Sequence, residues 1–157
     1  MYKKILVPYD NSEHAQHALL AALDLASCVE NANVTVLNVT DLLEFDDATF
    51  EVAARMAGVP RISEDSARAA RNNYYAEHEK AVRANIDEVV SEIPEGVELE
   101  VKIGSGRPQE VISAEANEGG YDCVVMGRRG LGALRGALGS VSYAVLRAVE
   151  LPVVIVK

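Results

Sequence analysis

The sequence predicts an α/β fold: an open parallel sheet with helices on both faces. Three observations carry this reading. Short β-branched, apolar runs recur along the chain, and segments with helical periodicity separate them. Strict alternation of this kind needs right-handed crossovers, which lay helices over both faces of parallel strands. The length of 157 residues, with 49% apolar and 25% charged side chains, suits one soluble domain able to bury a core.

The elements follow in order. Ile5-Leu6-Val7 reads as a buried strand that stops at Pro8 and the turn formers Asp10-Asn11-Ser12. Asn11 or Ser12 then caps a helix, with Glu13 placed against its positive end. Its apolar face is expected to be Ala15, Ala18, Leu19, Ala22, Leu25, Ala26 and Val29. Val34 to Val39 reads as a second strand. Residues 41–66 are acidic, broken by Gly58 and Pro60, and read as a mobile insertion. A helix over roughly 65–93 places Ala67, Ala70, Tyr74, His78, Val82, Ile86, Val89 and Ile93 on one face and stops at Pro94-Glu95-Gly96. Tyr74 and Tyr75 are expected to help pack that helix.

Val97 to Ile103 alternates apolar and polar, as a strand near a sheet edge does. Gly104-Ser105-Gly106-Arg107-Pro108 then starts a helix, with Pro108 suited to its first position. Tyr121 to Met126 read as the fourth strand. After a glycine-rich stretch, Ser140 opens a last helix with Val141, Ala144, Val145 and Ala148 on its apolar side. Pro152 to Val156 form the final strand. In such sheets ligands bind beyond the carboxyl ends of the strands, where the winding direction reverses.

Composition narrows the function. The net charge of −9 argues against a general nucleic-acid or anionic-membrane binder. No apolar run approaches the ~20 residues of a membrane span, and Ile5-Leu6-Val7 is too short for a secretory signal. Cys28 and Cys123 show no metal-type spacing and read as two buried thiols, which fits a cytoplasmic protein. His14 and His17 are spaced i, i+3 without an evident third ligand, so no metal site is expected. The charge is uneven: residues 1–100 carry a net −11 and residues 101–157 a net +2.

Five glycines fall within Gly127–Gly139, between a strand and a helix, with Arg128, Arg129 and Arg135 among them. Glycine permits positive φ and close backbone approach, and amides at a helix start suit phosphate oxygens. A glycine hinge or tight packing is the other reading. There is no Walker A sequence, and Arg135 stands where the dinucleotide fingerprint wants Gly or Ala. Asp10, at a strand end, suits ribose or adenine donors or, alternatively, a turn. Ser140 is expected to cap the last helix, alone or together with a phosphate contact.

With these pieces in order, the whole chain resembles the universal stress protein family. Ile5 to Glu13 is similar to that family's first strand and loop, and Val34 to Val39 to its second strand. Met126-Gly127-x-x-Gly130 followed by Gly139-Ser140 resembles its nucleotide signature, Gly-x2-Gly-x9-Gly-Ser/Thr, and Pro152 to Val156 its last strand. The loop Leu131–Leu138 is one residue shorter than the pattern. The resemblance implies one Rossmann-like domain over 1–157 with strand order 3-2-1-4-5. It also implies a homodimer, here expected through the apolar strand Val153–Val156.

On this resemblance Pro8, Asp10 and Val39 would line the adenosine side of an ATP site. Met126, Gly127 and Gly130 would shape its floor. Gly139, Ser140 and Val141 would meet the phosphates, with Arg129 beside them and Mg2+ accompanying the nucleotide. The function implied is an ATP-binding stress-response module; a nucleotide-free interaction module and a slow ATP hydrolase, with Asp10 and Asp41 as the nearest acids, are the rivals.

Overall fold

The computed structural model of the chain describes residues 2–40, 56, 58, 63–130 and 138–157. Among them run β1 (Lys4–Pro8), α1 (Glu13–Ser27), β2 (Ala32–Thr40), α2 (Glu64–Val89), β3 (Val97–Ser105), α3 (Pro108–Glu118), β4 (Cys123–Gly127), α4 (Ser140–Ala148) and β5 (Val153–Val156). All strand pairs are parallel, in the order β3-β2-β1-β4-β5. Ile5 sits between Val34 and Cys123, and Val124 lies beside Val153. Most residues of the acidic 41–66 segment, Asp41 included, and Gly132, Arg135 and Gly136 lie outside the described residues.

Strand alternation sends side chains to two cores. Ile5, Val7, Val34, Val36, Cys123 and Val125 meet α1 and the Val82–Ile86 turn of α2. Leu6, Leu37, Val124 and Met126 meet Ile112 and Ala116 of α3 and Val145 of α4. The central strands are apolar on both sides because each face is covered, whereas β3 is an edge strand whose first four residues alternate between half-buried and exposed.

Several expectations are corrected. On α1 it is Leu23, not Leu25, that faces the core: burial follows Ala15, Ala18, Leu19, Ala22, Leu23 and Ala26, and Leu25 is 39% exposed. The helix ends at Ser27, so Val29 only flanks the core and Cys28, at the cap, is exposed. Cys123 is buried, and burial together with the nearby Asp122 charge pushes its thiol up to about 11. Helix α2 starts at Glu64, capped by Ser63, and ends at Val89, where Val90 turns extended four residues before Pro94. Of its expected apolar face only Val82 and Ile86 are buried; Tyr74 is 42% exposed and meets Tyr75 edge-on. On α4 Ala148 is exposed, and Ser142 joins Val145 in the buried set.

Candidate functional site

The winding reverses between β1 and β4, so the chain leaving these two strands frames a crevice at the carboxyl edge. After Pro8, Tyr9 N still pairs with Leu37 O at 2.9 Å. The chain then turns within three residues. Asp10 Oδ1 accepts from Ser12 N at 3.1 Å, Asn11 takes φ 62°, and Ser12 Oγ accepts from Ala15 N at 3.3 Å. Ser12, not Asn11, is therefore the cap of α1. Asp10 makes the local turn and stays half-buried at the mouth. Burial pushes the Tyr9 phenol up; a hydrogen bond from Gln16 opposes this, and the Asp10 charge adds to it.

The β4 side shows why glycine is needed. A Cβ on Gly127 would lie 2.7 Å from the carbonyl carbon and oxygen of His14, because the first turn of α1 rests on this residue. A Cβ on Gly130 would collide with Asp10 Oδ2, which brings the two loops together. None of Gly127, Gly130 and Gly139 has a positive φ. Here glycine serves close approach rather than an unusual turn.

Both ends of the glycine loop are pinned. Arg128 N donates to Val156 O at 2.7 Å, Gly139 N to Arg128 O at 2.9 Å, and Ser142 Oγ to Gly127 O at 2.9 Å. Ser142 is a residue that periodicity alone misses: a serine on a short amphipathic helix reads as its polar side, yet it is buried to reach a carbonyl. Helix α4 starts at Ser140 with Gly139 as its cap residue, and no side chain caps it. The expected capping by Ser140 is thus corrected: the exposed Ser140 is the first residue of the helix and follows the cap instead of being it. The first-turn amides of α4 lie at the positive end of the helix dipole, a place that suits an anionic acceptor.

The remaining candidates are spread around this crevice. Pro8 is buried at the end of β1, and Val39, half-buried, packs beside the second core. Met126 is 3% exposed, so it offers a ligand little side-chain surface. Val141 is half-buried against the second core, and Arg128 and Arg129 are half-buried at the loop entrance. Arg128 Nε is buried without a hydrogen-bond partner. The crevice therefore combines one carboxylate, a set of uncapped helix amides and two guanidinium groups. That set can receive a ligand with hydroxyl or amine donors at one end and an anion at the other.

Known proteins share this fold. A family model described as "Universal stress protein family" matches residues 1–157. The chain is 30% identical to universal stress protein YxiE of Bacillus subtilis, over 100% of both chains. It is 31% identical to universal stress protein MJ0577 of Methanocaldococcus jannaschii, over 100% of this chain and 96% of the relative. The solved structure of MJ0577 superposes with a TM-score of 0.68 at 27% identity, over 100% and 96% of the two chains. Two more distant structures share the fold at 20% identity. One is an Arabidopsis thaliana universal stress protein family protein with AMP bound, at TM-score 0.57 over 99% and 91% of the chains. The other is a universal stress protein in complex with cAMP, at TM-score 0.56 over 99% and 97%.

Proposed function

The chain belongs to the universal stress protein family, and from that premise we propose that it binds an adenine nucleotide, ATP with Mg2+, at the β1–β4 crevice. It would act as a stress-response signalling module rather than as a fast enzyme. The observation that carries this reading is the juxtaposition of Asp10 with Gly130 beside a helix that starts at Ser140, after Gly139, without a side-chain cap. The carboxylate suits sugar hydroxyls or the base, and the α4 amides suit phosphate oxygens. Pro8 and Val39 flank the adenosine end, Met126 and Gly127 lie under it, and Arg129, Ser140 and Val141 border the phosphate end. The two relatives that hold AMP and cAMP support an adenine nucleotide as the ligand class. Mg2+ would arrive with the triphosphate, since no group of three His, Cys, Asp or Glu poised for a metal stands among the described residues.

Calorimetry with ATP, AMP and cAMP, with and without Mg2+, tests the reading. Binding to the native state alone should add ~2.7 kcal/mol of stability at a hundred times the dissociation constant. No heat and no rise in melting temperature at millimolar nucleotide would remove it and leave a nucleotide-free interaction module. Phosphate release abolished by Asp10→Ala with binding retained would add slow hydrolysis to the function.

The same reading includes a homodimer through β5. That strand pairs with β4 on one side, and all four of its residues, Val153 to Val156, are only half-buried. A second copy would cover this edge. Light scattering showing a monomer at micromolar concentration would refute it. A cytoplasmic location belongs to the proposal too: neither cysteine is in a disulfide, and no described helix is long and apolar enough to cross a membrane.

A further inference from the structure

We propose that Asn38 and His78 are positioning residues in a hydrogen-bonded relay that couples the Asp10 loop of the crevice to helix α2. The relay starts at Tyr9, the residue before Asp10. Asn38 Nδ2 donates to Tyr9 O at 2.7 Å, and the Tyr9 hydroxyl donates to Asn85 Oδ1 of α2 at 2.6 Å. On its other side Asn38 Oδ1 meets His78 Nε2 of α2 at 2.9 Å. Tyr9 is thus held at its carbonyl by β2 and at its phenol by α2.

The chemistry sets the direction of each bond. Tyr9 O can only accept, so the Asn38 amide must turn its NH2 toward it and present its oxygen to His78. His78 Nε2 then carries the proton, in the neutral ring and in the imidazolium alike, so the link survives His78 protonation. Asn38 is 7% exposed, and a broken link there leaves a buried amide oxygen unsatisfied.

What makes this contact consequential is its place ahead of the buried part of α2. Its buried side chains are Val82 and Ile86, both C-terminal to His78. Tyr74, one turn before His78, stacks on the imidazole with ring centroids 5.9 Å apart and is 42% exposed. Through His78, the N-terminal half of α2 is thus joined to the same amide that fixes the Tyr9 carbonyl. A displacement of the Asp10 loop by a ligand must be passed to α2 or break the chain at Asn38. The ligand side of this inference rests on the nucleotide reading; the mechanical side does not.

Hydrogen exchange on the full-length protein tests both sides. His78→Phe keeps a ring against Tyr74 but removes the donor, and His78→Gln restores a donor. Without nucleotide, His78→Phe should speed exchange about fivefold at residues 10–12 and at 64–78, the size expected for one lost hydrogen bond. Strand residues 4–8 should not change, and His78→Gln should recover much of the protection. Unchanged exchange at 10–12 in His78→Phe overturns the relay whether or not nucleotide binds. With saturating ATP, exchange at 64–78 should slow in the wild type and not in His78→Phe, although both bind ATP. Equal slowing in the two overturns the coupling, whereas wild type that binds no ATP sinks the nucleotide reading and leaves the first comparison to decide the relay. Should His78→Phe not fold, Tyr9→Phe removes the hydroxyl's bonds to Asn85 of α2 and Gln16 of α1 and should speed the same two segments; no change there also overturns it.

Discussion

At the amino end of the sheet, side chains knit neighbouring segments together. Asp122 Oδ2 accepts from Lys3 N at 2.7 Å and Lys4 N at 2.8 Å, and Lys4 Nζ reaches Gly119 O at 2.8 Å. Glu115 Oε1 accepts from Lys102 Nζ at 3.0 Å and from the Tyr121 hydroxyl at 2.7 Å. At the carboxyl end, Thr40 Oγ1 and Arg128 Nε are buried without a hydrogen-bond partner, and α4 begins without a side-chain cap. The carboxyl end also ties groups into the fold, as Asn38 and Ser142 do, but it keeps these two atoms without a protein partner. That contrast teaches where stability and binding should separate under mutation.

The largest effect should come where the two roles meet. Gly127→Val pushes carbon into the backbone of His14 and should cost about 3 kcal/mol, the upper part of the usual overpacking range, read as a lower urea midpoint. A stability change under about 0.5 kcal/mol, as at an ordinary surface site, would show that α1 does not rest on this residue as described.

Glu115→Ala should cost about 2 kcal/mol, chiefly by leaving the buried Tyr121 hydroxyl without its acceptor, and should leave nucleotide affinity unchanged. Its pH dependence sharpens the point. Burial alone would raise the Glu115 pKa, but the hydrogen bonds from Tyr121 and Lys102, with the charges of Lys102 and Lys4, hold it below the usual carboxylate range. The amides of Lys4 and Lys3 hold Asp122 low as well. Both groups bind a proton more readily in the unfolded chain. Their stabilisation is therefore complete above the unfolded values, about 4, and is lost as pH falls through the lower folded values. Urea midpoints between pH 7 and pH 2.5 should fall below pH 4, less steeply in Glu115→Gln. An identical acid limb in that variant would assign the loss elsewhere.

Gly130→Ala works in the opposite sense. Among the described residues the new methyl meets the end of the Asp10 side chain, whose shift strains its turn bond to Ser12 N, so stability should fall by no more than about 1 kcal/mol. Nucleotide affinity should fall about tenfold, roughly 1.4 kcal/mol, because the Asp10 carboxylate is displaced. Calorimetry showing intact affinity would detach Asp10 and Gly130 from the ligand. Smallest is Ser12→Ala, which removes the α1 cap and should cost about 1 kcal/mol in thermal or urea unfolding.

Much of this architecture is legible in the residues alone. The strand and helix order follows from where β-branched runs and turn formers fall, since side chains on a covered sheet must be apolar wherever they point. The family signature, the edge position of β3 and the start of α3 at Pro108 follow from local pattern. Face assignment was less secure. Leu23 and Leu25 are equally apolar, and only the packing of α1 on the sheet selects Leu23.

The sequence by itself determined the alternation of elements, the glycine-rich loop between β4 and α4, and the acidic and basic halves, because these depend on residue type and short-range spacing. The tertiary structure alone decided that Gly130 meets Asp10, that Ser142 reaches Gly127 O, and that Asn38 joins Tyr9 to His78. Asn38 and His78 stand 40 positions apart and Asp10 and Gly130 farther still. Contacts of that range arise from strand order and helix docking, which no local pattern of side chains encodes.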